Sequence, residues 1–358
     1  MARVAFYAPM KAPDSPKPSG DREMARNLMK AIAAQGDAID LVSRLRIYDK
    51  TGNPSLQNTL RDTAQVEAKR LIAQMPLDTD LWVTYHNYYK APDLLGPQVC
   101  AARGIPYIQL ESTRASSRLM GPWAGFAQSA HDACDAAHTI FYHTANDLIT
   151  LERDRYRDQA LVELPPFLPI CDLPLETSGH GPILAVGMMR HGDKLASYAI
   201  LAESLSLLKG DWRLEIAGDG PARAEVKALM APFGNKVEFL GELNRDALQD
   251  VYGRSSFLVW PGVNEAYGMI YLEAQAAGLP VVAQDRPGVR DVLFPSDYPP
   301  VSAGSVGLAK RMQQFLNDPL LCRSIGSKAR DHIGHHHLMP KATEQFWSTI
   351  RPMLKASS

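Results

Sequence analysis

Cysteine is scarce in this chain of 358 residues and never clustered: Cys100, Cys134, Cys171 and Cys322 stand far apart, with no C-x-x-C pair and no short recurring spacing. That pattern excludes a disulfide framework and a cysteine-built zinc site, and a reducing cytoplasm is the expected compartment. Long apolar runs are missing too. The N-terminal MARVAFYAPM passes straight into a strand pattern without the apolar core of a signal segment. No uninterrupted apolar stretch reaches the roughly 18 residues of a membrane span, so the expectation is a soluble protein, peripheral at the inner membrane face at most. Charge of one sign is not in excess: 38 basic against 39 acidic side chains leave a formal net charge of -1. No global field would recruit nucleic acid or an anionic membrane, and an anionic ligand has to be met locally. No G-x-S-x-G, H-E-x-x-H or G-x-x-x-x-G-K-[ST] string occurs, which argues against hydrolase, zincin and P-loop chemistry.

What is present is a composition of 46% hydrophobic and 22% charged residues, enough for two ordinary domains. Apolar strands alternate with amphipathic helices. Strands are expected at 4–8, 39–42, 81–84, 106–110 and 139–142, and helices at 22–35, 60–74, 94–103 and 124–136. Prolines then cluster and periodicity is lost, and a linker is placed at 165–182. The alternation resumes with strands at 183–186, 213–217, 237–240 and 257–260, followed by a mostly helical tail. The fold class expected is α/β, with two doubly wound parallel sheets: domains at 1–164 and 183–338 and a last helix at 339–358.

The stretch NEAYGMIYLEAQAAGLPVVA, 264–283, runs strand, loop, helix, Gly-x-Pro, strand. A helix beginning near Tyr267 offers unpaired N–H groups and a positive dipole end to a diphosphate. Glu265 before the helix and Glu273 within it are placed to accept hydrogen bonds from sugar or ribose hydroxyls, and Gly268 lets the backbone come close. Upstream, AVGMMRHGDKLASY opens a strand into a loop with Gly187, Arg190 and Lys194, two cations able to neutralise a leaving diphosphate.

Together these segments resemble the family-four retaining glycosyltransferases of GT-B fold, whose E-x7-E region is similar to 265–280 here. The resemblance implies two Rossmann-like domains, an acceptor domain first and a nucleotide-sugar donor domain second, with the last helix packing back on the first. It implies that Glu265 meets the transferred sugar, Glu273 the donor ribose, and Arg190 and Lys194 the diphosphate, although both cations are displaced from the family positions. Gly187, Gly218 in IAGDGP, Leu240 in FLG, and Ala266, Tyr267, Gly268 and Met269 would line the donor pocket. Ala266 and Tyr267 stand where a Gly-Phe pair is usual, and Gln275 where Met is. Asp219 is expected to cap the next helix. The chemistry implied is metal-independent transfer of a hexose-type sugar with retention, from a UDP- or GDP-sugar, with no cofactor.

In the first domain PSGDR, 18–22, resembles the family's glycine loop, with Gly20 approaching the donor phosphates and Ser19 or Asp21 capping the helix. His86 and Tyr88 follow a strand whose C-terminal end should face a cleft, where they could orient an acceptor hydroxyl. Relatives place a His after the next strand; here Glu111 stands there, and the sequence leaves His86 and Glu111 open for that role. The acceptor, whether lipid, sugar or small metabolite, is not specified, and no nucleic-acid partner is expected. Asp78 and Asp80 form a D-x-D at the wrong end of a strand and read as a turn. His332, His335, His336 and His337 read as polar surface. Two rival readings are a degenerate nucleotide-sugar-binding partner protein and an epimerase or hydrolase on the same fold.

Overall fold

The computed structural model describes residues 1–17, 19–295 and 297–356, so Pro18 of the glycine loop lies outside the described residues. The chain forms two units, Met1–Pro165 with the segment from Met339 onward, and Pro166–Leu338. Each is built on a parallel sheet, as expected.

Unit 1 alternates β1 (Arg3–Tyr7), α1 (Gly20–Ala33), β2 (Ala38–Leu41), α2 (Pro54–Gln74), β3 (Leu81–Tyr85), α3 (Gly96–Arg103), β4 (Tyr107–Leu110), α4 (Ala124–Ala136), β5 (Thr139–Tyr142), α5 (Ala145–Arg153) and β6 (Ala160–Glu163). The sheet order is β2-β1-β3-β4-β5-β6. Central β3 is LWVTY with every residue buried, the unbroken apolar run of a strand covered on both faces. Ser19 caps α1 through Arg22 N–H at 3.2 Å, and Gly104, at φ 65°, ends α3 in the left-handed region.

Unit 2 has β7 (Ile183–Val186), α6 (Asp193–Ser206), β8 (Leu214–Ala217), α7 (Arg223–Met230), β9 (Val237–Gly241), α8 (Arg245–Arg254), β10 (Leu258–Val259), α9 (Met269–Ala276), β11 (Val281–Val282), α10 (Gly304–Asn317) and α11 (Pro319–His336). Its sheet order is β11-β10-β7-β8-β9. The last helix, α12 (Met339–Ala356), belongs to unit 1. There Trp347 Nε1 donates to Ile32 O at 2.9 Å, Thr343 Oγ1 to Ala31 O at 2.9 Å, and Phe346 stacks on Phe141. No helix among the described residues is long and apolar enough to cross a membrane.

Several expectations differ from what is observed. α5 and β6 were not foreseen; β6 is an edge strand with three half-buried residues and an exposed Glu163, so its apolar signal is weak. The stretch placed as a linker, 165–182, is laid for most of its length along unit 2, where Leu168 N–H donates to His337 O, Thr177 N–H to Ala277 O and Ser178 N–H to Gly253 O. His337 is not surface: it is 3% exposed, and its Nδ1 lies 2.7 Å from Pro166 O. The histidine run closes α11 and turns its last ring inward. Asp78 and Asp80 hold Arg3, through Nε at 3.2 Å and the backbone N–H at 2.7 Å, at the N-terminal end of β3.

Candidate functional site

In unit 2 the strands deliver their C-terminal ends, the ligand-binding edge of an open parallel sheet, to four loops. Gly187 follows β7, Gly218 follows β8, and Glu265 lies beyond β10. Leu240, at the end of β9, is an extra residue: Ile216 pairs with Phe239 but Ala217 with Gly241, so Leu240 is bulged out of register. Bulges of this kind re-aim side chains at a sheet's edge. The loops are tied together. Gly187 N–H donates to Ala217 O, Met189 N–H to Asp219 O, and Gly218 N–H to Gly241 O. Gly218 has φ 143°, and a Cβ there would come within 2.0 Å of Gly187 O. Its smallness serves the crossing of two loops.

Glu265 is the best-held carboxylate of this edge. Its Oε1 is ion-paired with Lys194 Nζ and accepts a hydrogen bond from Trp260 Nε1 at 3.0 Å. Trp260 is fully buried between β10 and α6, edge-on to Tyr198 at 5.0 Å, so the indole is fixed. The loop carrying Glu265 is pinned to the start of α6 by Asn264 Nδ2 on Asp193 Oδ2 at 2.9 Å and Val263 N–H on Ser197 Oγ at 3.1 Å. Ala266 lies against Gly288, where an added Cβ would meet the Ala266 carbonyl oxygen at 1.7 Å. α9 begins at Met269, two residues later than expected, because Gly268 at φ 79° makes the turn into it. Neither α9 nor α6 has a side-chain cap, since glycines 268 and 192 occupy the N-cap positions. Their first N–H groups are available to an anion.

Arg190 is exposed, and its guanidinium has no hydrogen-bond or ion-pair partner among the described residues. Lys194, by contrast, is committed to Glu265. Glu273 is half-buried, with Oε2 accepting from Tyr252 Oη–H at 3.0 Å. Burial pushes its carboxyl above the ordinary range, while the Tyr252 hydrogen bond pulls the other way. Asp219 does not cap α7: its carboxylate takes Gly220 N–H at 2.7 Å and pairs with Arg223 one turn on. The guanidinium outcompetes the helix end.

In unit 1, His86 and Glu111 are each the first residue beyond a strand, β3 and β4, and both have positive φ, 66° and 54°. Non-glycine residues held there carry backbone strain, a feature that concentrates at functional sites. His86 Nδ1 lies 3.5 Å from Asp21 Oδ1 and 4.0 Å from Glu111 Oε1, and the Tyr88 ring is 4.7 Å from the imidazole. Glu111 Oε2 is 3.8 Å from His143 Nε2. The residues singled out in this domain, His86, Tyr88 and Glu111, are therefore neighbours, with Asp21 bringing the exposed Gly20 beside them. His143 went unnoticed in the sequence, although it follows β5 as His86 follows β3; the same strand-end rule finds it. Asp193 and Tyr252 were missed for a different reason, since only the tertiary fold brings them to Asn264 and Glu273, while Trp260, five residues before Glu265, was read only as the end of a strand.

Residues 183–332 match the family model described as Glycosyl transferases group 1. An uncharacterized glycosyltransferase of Methanocaldococcus jannaschii is 36% identical over 113 residues, 31% of this chain and 29% of that protein. The D-inositol 3-phosphate glycosyltransferase of Streptomyces bingchenggensis is 33% identical over 127 residues, 32% of this chain and 27% of that protein. The chain thus aligns with less than a third of the length of either relative. Among solved structures, sucrose-phosphate synthase from Thermosynechococcus elongatus superposes with a TM-score of 0.72 at 18% identity, covering 99% of this chain and 100% of that one. Anabaena HepE in complex with UDP and glucose gives 0.70 at 13% identity, covering 98% and 100%. Residues 183–332 of unit 2 accordingly match the Glycosyl transferases group 1 model, and the chain shares the two-sheet α/β fold of these solved structures.

Proposed function

We propose that the chain transfers a hexose-type sugar from a UDP- or GDP-sugar to a hydroxyl acceptor, with retention at the anomeric carbon and without a metal. The observation that carries this reading is Glu265, fixed by Lys194 and Trp260 at the strand-end edge of unit 2, immediately before the uncapped α9. A solved structure of similar fold is described as a complex with UDP-glucose, which supports a nucleotide-sugar donor. In this reading the diphosphate takes the N-termini of α9 and α6 together with Arg190. Preorganised N–H dipoles and a cation stabilise the charge that develops on a departing phosphate. Glu273 takes the ribose, and Glu265 a hydroxyl of the transferred sugar. The bond between the anomeric carbon and the phosphate oxygen breaks, and the acceptor oxygen bonds to the same face. The acceptor proton passes to the leaving phosphate. In unit 1, His86 and Glu111 orient the acceptor hydroxyl.

The test is a thermal-shift screen over UDP- and GDP-sugars, followed by turnover of the hit with and without EDTA. A ligand at about a hundred times its Kd adds roughly 2.7 kcal/mol to the stability of the state it binds. Absence of any shift across the screen would overturn the reading. Loss of turnover in EDTA with rescue by Mn²⁺ would overturn metal independence.

A further inference from the structure

Unit 1 contains a concave site on the glycine loop, next to the His86 cluster, whose basic residues the roles above leave unused. It is a cavity of about 710 Å³ between the β1–α1 loop and the stretch after β2, lined among others by Lys11, Lys17, Arg44, Arg46, Tyr48 and Asp14. The two walls are knitted together: Ile47 N–H donates to Pro9 O at 2.8 Å, Arg46 Nε to Met10 O at 3.0 Å, and Tyr7 Oη–H to Leu45 O at 2.7 Å. Asp14 is matched by Arg44, whose Nε lies 2.5 Å from its Oδ2. The other cations are not matched. Lys11 and Lys17 have no ion-pair partner among the described residues, and Arg46 spends only Nε, leaving its terminal nitrogens for a ligand. Its guanidinium is held over the Tyr48 ring at 4.6 Å, which fixes the fork before anything binds. Asp21 is the remaining carboxylate of the lining, and its Oδ1 stands near His86.

Three cations without ion-pair partners against one such carboxylate, Asp21, give this concavity at the C-terminal edge of a parallel sheet an excess of positive charge that favours an anion. The volume falls within the range of small-molecule sites, roughly 300 to 1,000 Å³. Three cations, one of them a preset guanidinium fork, suit a dianion with three equivalent acceptor oxygens better than a single carboxylate. We propose that this cavity holds a phosphomonoester group carried by the acceptor, so that the acceptor is a phosphorylated hydroxyl compound. The inference rests on the transferase reading and assigns its acceptor class.

The probe is inorganic phosphate, titrated by calorimetry into the 358-residue chain with its nucleotide site filled by whichever of UDP or GDP binds. Lys11→Gln and the double variant Lys11→Gln, Arg46→Gln are compared with the parent. Lys11 has no partner to lose, so the single variant keeps the test independent of folding. Phosphate affinity should fall about threefold in the single variant and at least tenfold in the double, with nucleotide affinity unchanged. Equal phosphate affinity in all three proteins, or no phosphate binding at all, overturns the inference while the nucleotide titration still reports on the transferase reading. Loss of nucleotide affinity in the variants would assign the cavity to the donor and equally overturn it. Failure of the parent to bind any nucleotide or nucleotide sugar would sink the transferase reading, and the acceptor assignment with it.

Discussion

At the residue scale, the two glutamates of unit 2 are held in different ways. Glu265 is clamped by a cation and an indole N–H, so its carboxylate is oriented before any ligand arrives. Glu265→Gln should lower kcat by about 10²-fold, the loss of one preorganised polar contact made in the transition state, and leave UDP or GDP affinity within about twofold. Full activity in a folded variant would remove Glu265 from the chemistry. Glu273 meets Tyr252 from a half-buried position on α9. Glu273→Ala should cost roughly 1 to 3 kcal/mol of nucleotide affinity, the usual loss when a hydrogen bond to a charged group goes. Unchanged binding by calorimetry would make the Glu273–Tyr252 contact a structural tie between α9 and α8. Both glutamates were legible in the sequence because their spacing is local, within one loop and one helix. Of their holders, Trp260 is five residues from Glu265, but Lys194 and Tyr252 lie 71 and 21 residues away along the chain, beyond anything a local pattern encodes.

At the scale of elements, the alternation of strands and helices was readable because buried parallel strands are short unbroken apolar runs between amphipathic helices. It failed where burial is partial, at β6, and where composition misled, in the proline-rich stretch 165–182. Proline removes periodicity whether a segment is loose or laid flat against a surface, and here it is laid flat, with His337 sealing one end. That seal titrates. Burial, with smaller contributions from His332 and His336, lowers the His337 imidazole from 6.5 to about 4, against the hydrogen bond to Pro166 O that raises it. The folded state therefore favours the neutral ring. Its contribution to stability is complete above pH 6.5 and is lost as pH falls toward 4, to a total of about 3 kcal/mol. Urea unfolding at pH 7.5 and 4.5 should show this loss in unit 2, and His337→Asn should flatten the dependence. An equal slope in the variant would place the titrating group elsewhere.

At the scale of the molecule, unit 1 is discontinuous in sequence, since α12 returns to it after all of unit 2 has been written. Trp347 is 2% exposed and donates to Ile32 O. Trp347→Ala opens a cavity and orphans that carbonyl, a loss of about 3 to 5 kcal/mol. Hydrogen exchange should report it as faster amide exchange in β1 and β3, with β7 and β8 keeping the protection of the parent protein. Equal loosening in both units would mean that they unfold as one. The same discontinuity sets an order of assembly on the ribosome. Unit 2 is continuous and can fold from its own residues, while the first 165 residues wait for a helix that follows the whole of unit 2 in the chain. Unit 1 is opened before unit 2 and closed after it, so its sheet is the last to gain a covering helix.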